Sequence, residues 1–309
     1  MGDAPNKSGS HRVVGSAAAE TAAPPAVTGY NRTGLRLQTS RNVVSIAAAW
    51  NHSLGLLSNG TVVSWGDMTN VPAGLSNAVA IAAGDSHSVA LKSDGTVTAW
   101  GSYSGTNVPA GLSNVVGIAG GGYFAAALKR DGSVVAWGGP PSTNGMTDAI
   151  SIAANEYPLV ALKANGTVVS AVAGTPPANL TNAVAVAAGR YFALALRADG
   201  TVTNWGAGPA SPSLTKVSAI TSGQNHCLAI LGNGPPPRQV SLTKAKQTGS
   251  NFSFSLPTQS GRVYGLEYKT SLATTNWLPL PLAAGNGSVL TLTDSSATNS
   301  PRFYRVRQW

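Results

Sequence analysis

The sequence predicts an all-β protein: a β-propeller of six or seven short blades followed by a small β-sandwich. Three observations carry that expectation. One segment recurs six times at near-constant spacing, every copy holds an Asn-Gly or Asp-Gly pair at the same place, and the composition changes after Gly234.

The copies start at Asn42, Asn77, Asn114, Asp148, Asn182 and Lys216, with spacings of 35, 37, 34, 34 and 34 residues. A fixed period of this size marks stacked supersecondary units, none of which buries its apolar face alone. Each unit divides into three strands. Ala80-Ile81-Ala82-Ala83 is small and apolar, as a strand near a crowded axis must be. His87 to Leu91 alternates in polarity, the mark of a half-buried strand, and Thr96 to Trp100 completes the unit. The intervening turns, Asn59-Gly60, Asp94-Gly95, Asp131-Gly132, Asn165-Gly166, Asp199-Gly200 and Asn233-Gly234, tolerate positive φ and are strong hairpin signals. No 3.6-residue period is present, which argues against a helical solenoid.

A Trp-Gly pair ends four of the repeats, at Trp65, Trp100, Trp137 and Trp205; the fourth repeat has Ala171-Val172 there and should pack least well. The sixth runs into Pro235-Pro236-Pro237, which cannot donate ladder hydrogen bonds. Arg12 to Ser16 resembles a third strand and is expected to complete that sixth unit from the other terminus. Residues 17–41 are either a degenerate seventh blade or a loop. The expected organisation is therefore an N-terminal segment 1–41, a propeller 42–234, a Pro-rich linker 235–238 and a β-sandwich module 239–309.

Charge is unevenly spread. The chain carries 20 Lys/Arg against 11 Asp/Glu, yet residues 42–234 hold seven of each. The basic surplus lies wholly in the terminal segments, which weakens the idea of a propeller face gripping phosphates. No apolar run approaches the length of a membrane helix, and no signal peptide is visible at the N-terminus. The lone Cys227 excludes an internal disulfide and reads as an inert buried thiol.

The repeats resemble those of the regulator-of-chromosome-condensation family, which share the Ile-Ala-Ala-Gly, His-Ser-Leu-Ala-Leu, Asp-Gly and Ala-Trp-Gly elements. The closer likeness is to short-repeat bacterial members such as the secreted propeller inhibitors of β-lactamases, through connectors like Asn70 to Asn77 and Asn107 to Asn114. Tyr264 to Tyr268, Trp277 and Phe303 to Val306 resemble a C-terminal module of secreted proteins of environmental bacteria. The resemblance implies the propeller fold, and that module implies an extracellular or cell-surface location.

Antiparallel strands running up, down and up bring the loops after the first and third strands to one face. Partner-binding residues are expected there: Trp50, Asn51, Asp85, Tyr103, Tyr123, Glu156, Tyr157, Arg190 and Tyr191. The repeats differ from one another at these positions, and rigid aromatic and Arg anchors suit protein recognition. In the inhibitor propellers that the repeats resemble, equivalent aromatic loops are the contact surface. No catalytic constellation is recognisable: Gly101-Ser102-Tyr103-Ser104-Gly105 puts tyrosine at a nucleophile position, and Asp85 and Glu156 come from repeats two apart. His52, His87 and His226 share one repeat column and read as structural groups bonded to backbone, not as metal ligands. The expectation is a non-enzymatic binding protein without cofactor or metal, engaging a protein partner, possible targets being a β-lactamase-like or cell-wall enzyme. The alternatives are carbohydrate binding by the aromatic loops and nucleic-acid binding through the basic termini.

Overall fold

A computed structural model describes residues 28–30, 36–38, 43–208, 213–232, 243–248, 250–259, 262–271, 277–285, 288–297 and 302–308. It is all-β; a single 3-10 turn, Ser104–Thr106, is the helical element among the described residues. Five of the repeats fold as three-stranded antiparallel sheets in chain order. The first comprises Val43–Ala48, His52–Leu57 and Val62–Gly66, and the second Ala78–Ala83, His87–Lys92 and Val97–Gly101. In the sixth, Val217–Ser222 pairs with Cys227–Leu231, two strands among the described residues. Arg12 to Ser16, expected to complete this sheet, lie outside the described residues, as do the Asn233-Gly234 turn and the Pro-rich linker. Thr28–Tyr30 and Arg36–Gln38 form a short separate hairpin within the N-terminal stretch.

The same local chemistry rebuilds each sheet. Asn77, Asn114, Asp148, Asn182 and Lys216, immediately before the inner strands, all adopt φ between 55° and 61°. Asn and Asp reach this left-handed region at low cost, and Lys does not. The inner strand then slips register by one residue against its neighbour, as between Ala78 and Ala80, a bulge repeated in every unit. At the hairpins, Asp94, Asp131 and Asp199 accept hydrogen bonds from the backbone and hydroxyl of Thr96, Ser133 and Thr201, which hold their carboxyls below the usual range. The turn of each repeat clasps the start of the next: Gly60, Gly95, Gly132, Gly166 and Gly200 carbonyls accept from Ala78, Val115, Ala149, Ala183 and Val217.

The core lies between successive sheets. Their middle strands are almost wholly buried, as at Leu54, Leu91, Leu128, Leu162 and Leu196. The four Trp-Gly tryptophans are buried to nearly the same degree, and Trp100, Trp137 and Trp205 join apolar clusters that span successive sheets. At the fourth repeat, expected to pack least well, the middle strand Leu159–Lys163 is as buried as in the other repeats, and the departure is local to the slot that glycine fills elsewhere. Val172 occupies the glycine position with φ 74° and is 59% exposed. Gly66, Gly101, Gly138 and Gly206 take φ 87–116° at that slot, where a β-branched residue is strained. In the sixth sheet Leu228, Ile230 and Leu231 are more than 60% exposed.

After the repeats, two three-stranded sheets share a core of Phe254, Leu256, Tyr264, Leu266 and Leu292. They include two strands absent from the sequence reading, Thr243–Thr248 and Leu278–Ala284, both at sheet edges. One of these sheets packs against the turn end of the second and third repeats. Leu282 N–H donates to the Ser93 carbonyl at 2.9 Å, and Arg130 reaches Glu267 at 2.7 Å.

Candidate functional site

The loops after the first and third strands gather at the end opposite the Asp-Gly turns. Backbone bonds tie the first set into a collar: Asp85 N–H donates to Gly121 O, Gly122 N–H to Glu156 O, and Arg190 N–H to Gln224 O. Ser102 N–H on Ser86 O joins the second set to the first. All nine expected residues therefore sit at one end.

Two aromatic pairs emerge from this collar. Tyr157 and Tyr191, from adjacent repeats, stack with ring centroids 4.9 Å apart and planes 13° from parallel. Tyr103 and Tyr123 meet edge to face at 5.6 Å. Tyr103, Tyr123 and Tyr191 are 65%, 53% and 45% exposed, and Trp50 is also 65% exposed but joins neither pair. Rings left this far in water on ordered backbone are potential anchors for a partner. Asn51 is half-buried, its Oδ1 3.3 Å from the His52 ring.

Tyr103 is held deliberately. Its φ of 67° is unusual for a non-glycine residue, and it opens the Ser104–Thr106 turn. Thr106 Oγ1–H donates to the Tyr103 carbonyl at 2.8 Å, and Trp137 Nε1–H donates to Gly105 O at 2.8 Å. Trp137 thus braces the turn that presents Tyr103, a role that the sequence reading missed. The signal was the extra residues in the second-to-third spacing, which lengthen this one loop.

Between the aromatic pairs lie the charged groups. Arg190 forms an ion pair with Glu156, Nε to Oε2 at 2.9 Å, and its guanidinium also lies 5.3 Å from the Tyr191 ring centroid. The Glu156 side chain is only 10% exposed. The sequence argument that Asp85 and Glu156 are kept apart by two repeats is corrected here. Gly122, from the repeat between them, has no side chain, and a β-carbon placed on it would fall 3.1 Å from Glu156 Cγ and 3.3 Å from Asp85 Oδ2. The curvature of the collar brings both carboxylates against one glycine. Burial, then the charge of Glu156, raises the Asp85 carboxyl to about 6, with Arg190 opposing. No ion pair or hydrogen bond to the Asp85 carboxyl is found among the described residues, although the Arg190 charge reaches it.

In the histidine column, His52 departs from the expected backbone bonding, its Nε2 hydrogen-bonded with Ser88 Oγ at 2.9 Å, while the His87 ring faces the Phe124 backbone. Both rings are fully buried, whereas His226 is exposed. Burial lowers both to about 4, helped at His52 by the neighbouring His87 and offset only in part at His87 by the Phe124 backbone. Among the described residues no three His, Cys, Asp or Glu side chains are grouped to hold a metal ion. Cys227 is half-buried rather than fully enclosed, and burial raises its thiol.

Comparison with known proteins agrees with this architecture. Residues 43–70 and 78–104 match the family described as "Regulator of chromosome condensation (RCC1) repeat". Among solved structures, the chain is similar to the CRINKLY WD40 ectodomain of the Arabidopsis thaliana receptor kinase ACR4, with 21% identity, a TM-score of 0.52, and 61% of this chain and 75% of that one covered. It is also similar to the entire ectodomain of the Physcomitrella patens receptor kinase CR4, with 18% identity, a TM-score of 0.55, and coverage of 84% and 86%. Yeast RCC1 (Prp20), solved bound to Kap60, matches with 20% identity, a TM-score of 0.49, and coverage of 60% and 65%. No curated protein matches the sequence. No helix among the described residues is long and apolar enough to cross a membrane. The repeats form a β-propeller fold, similar to the RCC1 repeat over residues 43–70 and 78–104 and similar in fold to these plant receptor-kinase ectodomains.

Proposed function

We propose that this chain is a non-enzymatic binding protein, exported from the cell, that recognises a protein partner through the loop end of the propeller. The repeats, spanning residues 42–234, are read as a propeller of six or seven blades, and the C-terminal sheets as a β-sandwich module over 239–309. The observation that carries the reading is the pair of tyrosine clusters on a collar of main-chain bonds, exposed Tyr103 with Tyr123 and exposed Tyr191 stacked on half-buried Tyr157. Large rings with few rotatable bonds, already ordered, lose little entropy on binding and tend to dominate interface energetics. The described contacts of the C-terminal sheets with the repeats lie at the opposite end.

The sequence likeness to inhibitor propellers narrows the partner to a β-lactamase-like or cell-wall enzyme. Inhibition of a panel of purified β-lactamases and penicillin-binding proteins tests it, with a paired Tyr157→Ala, Tyr191→Ala variant beside the parent. The expected result is inhibition that weakens at least tenfold in the variant; inhibition indifferent to both tyrosines would remove this end from consideration. A second reading, carbohydrate binding, draws on the same open ring faces beside a buried carboxylate, which suit a sugar's apolar face and hydroxyls. Glycan-array binding by the parent and not by the variant would favour it.

A further inference from the structure

Every charged residue between Val43 and Gly232 falls at one end of the propeller or the other, and the two ends differ in sign. The loop end holds Asp67, Asp85 and Glu156 against Arg190 alone. The other six Lys and Arg of this region sit at the turn end with Asp94, Asp131, Asp148 and Asp199. The neutral total therefore hides a polarised body, acidic where the aromatic rings are exposed and basic where the C-terminal sheets dock. Among the described residues of the repeats, that end carries an acidic excess.

Within the patch the charges are not equally satisfied. Arg190 is engaged with Glu156, so the one Lys or Arg of this end among the described residues is already used. Asp85, half-buried against Gly122 and next to Glu156, feels the charge of Arg190 but forms no ion pair among the described residues. A carboxylate in that position is held in partial desolvation beside a like charge, and both effects are relieved by an incoming cation. The tyrosine pairs flanking it supply what the stem of such a cation needs. Electron-rich ring faces attract guanidinium and ammonium groups, as Arg190 over Tyr191 already illustrates within the chain.

Resting on the proposed role of the loop end, we propose that it receives an arginine or lysine side chain projecting from a loop of the partner protein, its cationic head at Asp85 and its stem against the tyrosines. Charge complementarity selects this occupant. Nucleic acid and acidic proteins meet the wrong sign here, and an uncharged partner would leave the second carboxylate uncompensated. The Asp85 carboxyl, raised to about 6 by burial and by Glu156, is still mostly ionised at neutral pH, and an arriving cation would lower it again.

The test uses the intact protein and a displayed library of random cyclic heptapeptides, with selected peptides resynthesised and titrated calorimetrically. Selection is expected to enrich Arg or Lys at one dominant position. Replacing that residue in the peptide by a neutral one, or Asp85→Asn in the protein, should each weaken binding at least tenfold, and the two losses should not add. Tyr191→Ala should weaken the same peptides, and Lys163→Glu at the turn end should not. Selected peptides without a shared cation, or binding unchanged in Asp85→Asn, would overturn the proposal. If Tyr191→Ala still weakens binding in that case, the loop end remains a recognition surface and only the cationic occupant is wrong; if neither substitution matters, both readings fail. Binding of a free polyamine as tightly as the peptides would likewise reject a protein loop as the occupant.

Discussion

Arg130 and Glu267, 137 residues apart in the chain, meet at 2.7 Å where the third repeat's turn touches the C-terminal sheets. Arg305 takes the other oxygen of the same carboxylate at 2.6 Å, and the Glu267 side chain is 2% exposed. Arg307 Nη1 adds a bond to the Arg130 carbonyl. A buried carboxylate with two cations is costly to break from the carboxylate side, because two charges are then left facing each other. Glu267→Ala is expected to cost about 3–5 kcal/mol, read as a lower denaturant midpoint. Arg305→Lys, at a 42% exposed side chain, should cost under about 1 kcal/mol. Equal losses in the two variants would mean that the junction is not organised around Glu267.

The misfit at the fourth repeat offers a gain. Val172 holds a left-handed φ where four other repeats have glycine, so Val172→Gly removes strain of about 1–3 kcal/mol against a chain-entropy cost of roughly 0.5–1 kcal/mol. A net stabilisation of about 1 kcal/mol is expected, seen as a rise in melting temperature. Lys216→Asn, which installs the residue that Asn77, Asn114 and Asn182 use at φ 55–61°, should also stabilise, by less. A fall in melting temperature in both would show that these backbone angles are not strained.

Acid should destabilise the fold through the two buried histidines. His52 and His87 resist protonation until about pH 4 when folded but accept protons near 6.5 when unfolded. Stability is thus complete above pH 6.5 and is lost as pH falls from there towards 4, by on the order of 2–3 kcal/mol per ring. Asp85 works the other way over about pH 6 to 4, since its folded form holds a proton more readily, but its partial exposure reduces the effect. The melting temperature at pH 4.5 is expected to be several degrees below that at pH 7.5. His87→Phe, matching Phe124 and Phe192 in the same column, should flatten that dependence without loss at neutral pH. An unaltered pH profile in this variant would argue that His87 titrates normally.

Trp137→Phe keeps most of the ring's burial and removes only the indole N–H that Gly105 O accepts. The expected stability cost is modest, about 1 kcal/mol, while the turn carrying Tyr103 loses its brace. A bound partner should then dissociate several-fold faster, with Trp137→Phe no longer additive to Tyr103→Ala. Full additivity would make Trp137 a packing residue alone.

Much of the architecture was legible because the repeats state it six times: the hairpin pairs, the buried tryptophans, the local departure in the fourth unit and the common loop end all follow from columns of residues. What escaped had weak local signals. Leu278–Ala284 carries Pro279 and Pro281, which argue against a strand unless it lies at an edge, where their missing donors matter little. Thr243–Thr248, with Lys244 and Lys246, has too few apolar residues to read as a strand and is likewise an edge. The approach of Asp85 to Glu156 escaped for a different reason. Separation counted in repeats overstates distance near an axis, where successive units converge, and a glycine between them removes the remaining obstacle. The opposed charges of the two ends could have been found from the sequence by sorting Asp, Glu, Lys and Arg according to their place in the repeat.

The collar at the loop end is sewn by amide and carbonyl groups, from Asp85 to Gly121, Gly122 to Glu156 and Arg190 to Gln224. Such stitches are blind to whatever side chain stands above them. Evolution, or a designer, could therefore exchange the decoration of that rim one position at a time while the scaffold beneath stays put, turning a receptor for one guest into a receptor for another by small edits.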